Sequence, residues 1–140
     1  VASTHASFPQ RRSTGLDPNR VALRLAVIEK RLGYHISNDD VYLNVAGGLS
    51  LREPAIDLAI ASAIVSSYKE TAIDADTVVI GEIGLSGELR RVKRLKHRLG
   101  EAARLGYRRC VIPVTDSASV SGIEIITAGG LEEAIEAIGL

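Results

Sequence analysis

The chain has 140 residues, 46% hydrophobic and 24% charged, a balance ordinary for one soluble globular domain with a real core and unlike that of a disordered chain. Seventeen Lys and Arg offset seventeen Asp and Glu, so the whole chain has no bias toward nucleic acid, and any such bias is local. A single cysteine excludes an internal disulfide, and no apolar run approaches the roughly 18 to 20 residues of a membrane span.

Residues 1–8 read as part of a strand, and residues 1–10 lack the basic start and apolar centre of a signal peptide. The expected location is therefore cytoplasmic, without membrane contact. The chain opens without a methionine, which suggests a domain of a longer protein. Asp17-Pro18 starts a helix with an acceptor at the cap and proline in the first turn; Val21, Leu25 and Ile28 share one face, and Gly33 ends it.

Residues 40–46 alternate Val41, Leu43 and Val45 with Tyr42 and Asn44 as a strand does, and Gly47-Gly48 turns the chain toward a helix over 54–67. Pro54 suits the first helical position, and Ile56, Leu58, Ile60, Ala61, Ala63, Ile64 and Val65 make this helix apolar nearly all round, which predicts a central, buried element. Ala55 follows the proline where chemistry would need a hydroxyl or thiol.

A strand over 77–80 precedes two strands within 81–92 joined at Ser86-Gly87. A basic helix over 93–105 stops at Gly106, followed by a strand over 108–113 that holds Cys110 as a buried structural thiol. A less regular stretch, a strand over 123–126 and a helix over 131–138 complete the chain. Strands alternating with helices, plus one hairpin, predict an α/β or α+β fold with a mixed sheet and packed helices, as a single domain over 1–140.

Ordinary catalytic signatures are missing. No Gly-x-x-x-x-Gly-Lys-Ser/Thr is present, and Gly81, Gly84 and Gly87 have the spacing of a hairpin, with no helix opening after them as a dinucleotide loop requires. His5, His35 and His97 form no ligand pair, so no metal site is expected. Glu53, Asp57 and Glu82 are available as acid–base carboxylates, but Glu53 and Asp57 flank a helix N-terminus and are better read as charges favoured by its dipole.

The basic residues are more informative. Arg90, Arg91, Lys93, Arg94, Lys96 and Arg98 place six cations in nine residues, while Glu132, Glu133 and Glu136 hold negative charge near the other end. On a helix Lys93 and Lys96 share a face and Arg94 and Arg98 a neighbouring one, arranged to meet phosphates or simply to be solvated. A second cluster, Arg11, Arg12 and Arg20, puts Arg20 in the first turn of a helix, where a cation is unfavourable. Its expected compensation is a phosphate, an acidic partner surface or a local pair with Asp17.

The segment Arg11-Arg12-Ser13-Thr14-Gly15-Leu16-Asp17-Pro18-Asn19-Arg20 carries a resemblance, together with Glu29-Lys30-Arg31, Asn44-x-x-Gly47-Gly48, Glu53-Pro54-Ala55-x-Asp57-Leu58-Ala59, Gly81-Glu82-x-Gly84-Leu85-x-Gly87-Glu88-x-Arg90 and Glu101-Ala102. Over nearly the whole chain they resemble the C-terminal domain of the bacterial RadA (Sms) DNA repair family. That domain is similar to the Lon protease domain, of the ribosomal protein S5 domain 2-like type. A Lon-type protease uses a serine in Gly-Pro-Ser-Ala-Gly and a lysine in Gly-Gly-Leu-Lys-Glu-Lys. The resemblance sets Ala55 at the serine position and Lys96 at the lysine position, a vestigial dyad without a nucleophile.

The resemblance implies a parent protein with a zinc finger and a RecA-type ATPase core outside this chain, so ATP, Mg and Zn belong to those parts and no cofactor to this one. It implies a catalytically silent scaffold that assembles with itself, as a hexamer, and presents basic residues to DNA, in a protein that drives branch migration alongside other recombination proteins. The candidate DNA contacts are Arg11, Arg12, Arg20 and Arg91, followed by Arg52, Arg90, Lys93, Arg94, Lys96 and Arg98. Two rival readings are a pure assembly or docking domain whose cations pair with acidic surfaces such as Glu132, Glu133 and Glu136, and a residual peptidase using Ser50 or Ser62 with Lys96.

Overall fold

The computed structural model describes residues 1–3, 8–116 and 118–140. His5 and the middle of the expected first strand lie outside them. Their order is β1 (Ala2–Ser3), β2 (Arg11–Thr14), α1 (Pro18–Leu32), β3 (Asp39–Asn44), α2 (Asp57–Tyr68), β4 (Thr77–Val79), β5 (Glu82–Ile83), β6 (Leu89–Arg90), α3 (Leu95–Arg104), β7 (Arg109–Pro113), β8 (Glu124–Ala128) and α4 (Leu131–Ile138).

The protein is mixed α/β, as the sequence suggests, and among the described residues the strands form three small sheets, one of them mixed. β1 runs antiparallel and β2 parallel to the central β3; β4, β7 and β8 are all parallel in the order β4-β7-β8; β5 and β6 form an antiparallel hairpin. β2 has no counterpart in the sequence reading, because Arg-Arg-Ser-Thr has no apolar alternation and the strand pairs on one side only.

α1 forms as its signals dictate. The Asp17 side chain accepts from the Asn19 amide at 2.9 Å, and Gly33 closes the helix in the left-handed conformation at φ 71°, its amide donating to Glu29. Its inner face buries Val21, Leu25, Val27 and Ile28, but also the charged Arg24.

α2 is entered through a 3₁₀ turn, Pro54–Ile56. It buries Leu58, Ile60, Ala61, Ile64 and Val65 against α1 and the β5 hairpin. Burial is not complete around the helix: Ala59 and Ala63 face solvent, since nothing among the described residues packs over that side. Small side chains make this face tolerable in water and account for the apolar composition that suggests full burial.

The hairpin closes through Gly84 N–H to Glu88 C=O at 2.9 Å and Gly87 N–H to Gly84 C=O at 3.0 Å, with Gly87 at φ 82°. A side chain at Gly84 would run into the Glu88 carboxylate, so Gly84 and Gly87 belong to the hairpin, whereas Gly81 bonds to Ala55 and Leu58 at the start of α2. α3 begins two residues later than the sequence suggests. Arg94 caps it in the left-handed conformation, φ 60° and ψ 34°, so Lys93 and Arg94 precede the helix and share no helical face with Lys96 and Arg98.

Two apolar clusters result. The larger gathers α1, α2, β3, the hairpin and α4 around Ile28, Leu58, Ile83 and Leu131; the smaller joins Ala55, Leu99, Cys110, Ile112 and Ile123 under α3. Ala55 sits on the second cluster with one side in a surface hollow, the position from which the candidate site is built.

Candidate functional site

The hollow beside Ala55 has a volume of about 250 Å³ and is walled by Glu53, Pro54, Glu82, Arg91, Val92, Lys93 and Arg98. Backbone bonds lock its floor: Gly81 N–H donates to the Ala55 carbonyl at 3.0 Å, and Leu58 N–H to the Gly81 carbonyl at 3.0 Å. The Arg98 guanidinium pairs with the Glu53 carboxylate and donates through Nε to the Lys93 carbonyl at 2.9 Å. Glu53 makes no side-chain cap, so the expected dipole role passes to this ion pair.

Lys96 does not line this hollow. It lines a separate groove of about 300 Å³ with Leu95, Leu99, Thr115, Ala118 and Val120, and the α3 cation that does line the Ala55 hollow is Arg98, two residues further on. Ser50 lies in another groove beside Arg20 and Arg52, and the buried Ser62 hydroxyl donates to the Leu58 carbonyl at 2.7 Å. Neither hydroxyl lines the hollow with Ala55.

Beneath this region lies a buried charge cluster that no sequence pattern announces. Asp57 is fully buried; its Oδ1 stands 2.8 Å from Arg20 Nε and its Oδ2 3.3 Å from Arg24 Nη2, while the Ile83 amide donates to Oδ2 at 3.0 Å. Arg24 also donates to the Ile83 carbonyl. Burial pushes the Arg24 guanidinium below its ordinary pKa, and the Asp57 charge pushes back. The cation in the first turn of α1 is thus compensated by Asp57 from inside the molecule, and not by Asp17. Asp57 stands in the first turn of α2 as the sequence suggests, and has two arginines as ion-pair partners besides.

The remaining candidate cations fall into two groups. Arg11 donates to the carbonyls of Ile36 and Ser37 at 2.9 and 3.0 Å, Arg90 pairs with Glu88 at 3.0 Å, and Arg91 approaches Asp116 at 3.5 Å. Arg12, Arg52, Lys93, Arg94 and Lys96 are exposed, with no ion pair among the described residues. Lys93 and Arg91 stand at the rim of the Ala55 hollow, and Arg52 stands with Arg20 at the entrance to α1. Glu132, Glu133 and Glu136 line a different hollow with Glu88 and Arg31.

Among the described residues no group of three or more His, Cys, Asp or Glu is placed to hold a metal ion, and no helix is long and apolar enough to cross a membrane. Cys110 is wholly buried, and burial pushes its thiol up to about 12.

A family model described as Subunit ChlI of Mg-chelatase matches residues 18–116. A DNA repair protein RadA of Aquifex aeolicus is 48% identical over 130 residues, covering 93% of this chain and 29% of its own length. Proteins of the same name from Halalkalibacterium halodurans and Bacillus subtilis are each 46% identical, covering 97% and 96% of this chain and 30% of their own length. The chain thus spans about three-tenths of the curated relatives it matches.

Proposed function

We propose that this chain, which belongs to the family described as subunit ChlI of Mg-chelatase, serves in a DNA repair protein as a non-proteolytic, Lon-like domain that contacts DNA and assembles with copies of itself. The DNA repair role follows the RadA relatives, which match nearly the whole chain. Branch migration, the hexameric state and the use of ATP, Mg and Zn belong to this proposal for the longer protein.

The observation that carries the reading is the hollow at Ala55. It has a methyl group at its floor and the cations Arg91, Lys93 and Arg98 on its walls. A methyl group supplies no nucleophile, and a basic side chain without a nucleophile beside it cannot form an acyl-enzyme. Cations at this rim and at the α1 entrance, exposed and free of internal pairs, are suited to phosphates; those already tied to carbonyls or carboxylates are less so. Lys93, Arg94, Lys96, Arg12 and Arg52 form the first rank of contacts, Arg91 and Arg90 the second, while Arg11 and Arg20 act chiefly within the fold.

The test is binding of labelled single strands and duplexes over a salt series, with solution mass measured in parallel. Reversal of Lys93, Arg94 and Lys96 to Glu is expected to weaken binding strongly and to reduce the salt slope by roughly 0.7 to 0.9 for each phosphate that is no longer neutralised. Unaltered binding by the folded triple variant sinks the basic-rim reading. Salt-sensitive assembly without any DNA binding would favour the docking-domain alternative, in which these cations meet Glu132 and Glu136 of a neighbour.

A further inference from the structure

The outer face of the β1-β3-β2 sheet carries an arrangement that the basic rim does not use. β2 and β3 are parallel and in register, Arg12 opposite Tyr42 and Thr14 opposite Asn44. Register partners in parallel strands project from the same side of a sheet, and alternate residues point the other way. Val41 is accordingly in the core at 2% exposure, whereas Tyr42 is 55% exposed. Arg12, Thr14 and Asn44 are exposed with it.

Arg11 is turned to the loop carbonyls of Ile36 and Ser37, which leaves Arg12 as the cation of β2 without an internal partner among the described residues. The acid of this face, Asp40, accepts from the Gln10 amide at 2.7 Å. The Tyr42 hydroxyl reaches only a distant 3.5 Å contact with the Gln10 side chain, so its ring is held by little and open on one side. Beyond the end of β2, Leu51 N–H donates to the Gly15 carbonyl at 2.8 Å and brings the exposed Arg52 alongside. Gly15 lies three residues past Arg12, about 10 Å along a strand.

We infer that this face is a stacking platform for single-stranded nucleic acid: the Tyr42 ring packs on one unpaired base, Arg12 holds the phosphate beside it, and Arg52 meets the backbone further on. The inference rests on the DNA-contact reading and names the form of DNA this face takes. One exposed ring set among Arg, Thr and Asn suits a base, which brings a flat apolar surface with polar edges and an adjoining anion. A protein partner covering this face would need a contiguous apolar patch, and the side chains that the register sets beside Tyr42, namely Arg12, Thr14 and Asn44, are polar. A base within a duplex is already stacked on both sides, so the ring adds nothing to duplex binding.

The experiment compares the purified wild-type protein with Tyr42→Ala, Tyr42→Phe and Arg12→Ala, using a labelled oligothymidylate and a duplex of the same length, with thermal melting to verify the fold. Tyr42→Ala is expected to weaken oligothymidylate binding roughly tenfold and duplex binding less than twofold; Tyr42→Phe retains binding, because stacking needs the ring and not the hydroxyl. Arg12→Ala lowers the single-strand salt slope by about 0.7, a change that Tyr42→Ala does not produce. Unchanged single-strand affinity in a folded Tyr42→Ala protein overturns the platform while leaving DNA contact at the basic rim standing. Equal losses on single strand and duplex, or a change in self-association in place of DNA affinity, overturn it too. Absence of any DNA binding by the wild type removes the DNA reading itself, and the platform with it.

Discussion

Arg20, in the first turn of α1, reaches Asp57, in the first turn of α2, at 2.8 Å, and so fastens the N-termini of the two core helices through a carboxylate with no solvent exposure. Arg24 and the Ile83 amide complete the shell around that carboxylate. Removing one partner of such a cluster leaves the others buried and unpaired. Asp57→Ala is therefore expected to destabilise the protein by about 3 to 5 kcal/mol, read as a shift of the urea midpoint at unchanged slope. Arg20→Glu places a second carboxylate against Asp57 and is expected to lower the same midpoint. A folded, fully stable Arg20→Glu protein would contradict the cluster.

Arg94 precedes α3 at φ 60°, a conformation that costs an L-residue roughly 1 to 2 kcal/mol and glycine nothing. Glycine gives back part of that gain through the entropy of the unfolded chain. The balance predicts that Arg94→Gly stabilises the protein by about 0.5 to 1 kcal/mol, measured by denaturant unfolding, while removing one exposed cation. Arg94→Ala, which keeps the strain, is expected to give no such gain.

These two residues also mark where the sequence is readable. α1 can be placed to the residue because Asp17-Pro18 and Gly33 are local signals whose physics is complete within one turn. α4 and the hairpin are legible for the same reason. The start of α3 is not: Lys and Arg are good helix formers, and nothing in the composition shows that Arg94 turns left-handed. β2 is hidden because its pattern is polar on both faces. Asp57 looks like a helix-end charge because its partner Arg20 lies 37 residues away, a distance that periodicity does not span. In the candidate site the methyl group at Ala55 is legible from the residues, but that Arg91, Lys93 and Arg98 line its hollow while Lys96 lines a separate groove is not.

Cys110 gives a pH dependence with a definite sign. Its thiol ionises near 9.0 when unperturbed and is pushed up to about 12 by burial, so above pH 9 the unfolded chain loses a proton that the folded one keeps. With more protons bound to the native state, stability falls as pH rises, by about 1.4 kcal/mol per unit between those two values. Unfolding free energies measured from pH 8.5 to 10.5 should show this component growing through pH 9 toward that slope in the wild type. Cys110→Ala is less stable at neutral pH, because it leaves a cavity, but loses this component of the slope.

The Ala55 hollow supplies the sharpest chemical prediction. If the site lacks activity only because a hydroxyl is missing, Ala55→Ser alone would react with a fluorophosphonate probe. Lys93 lines the hollow with Ala55, whereas Lys96 lines a separate groove and Arg98 is engaged with Glu53. A hydroxyl at position 55 therefore shares its cavity with the Lys93 amine, the pair of groups that a serine–lysine mechanism requires. Labelling of Ala55→Ser is expected to be lost on adding Lys93→Ala and kept on adding Lys96→Ala. Labelling that disappears with Lys96→Ala and not with Lys93→Ala would return the base position to Lys96 and refute the arrangement described.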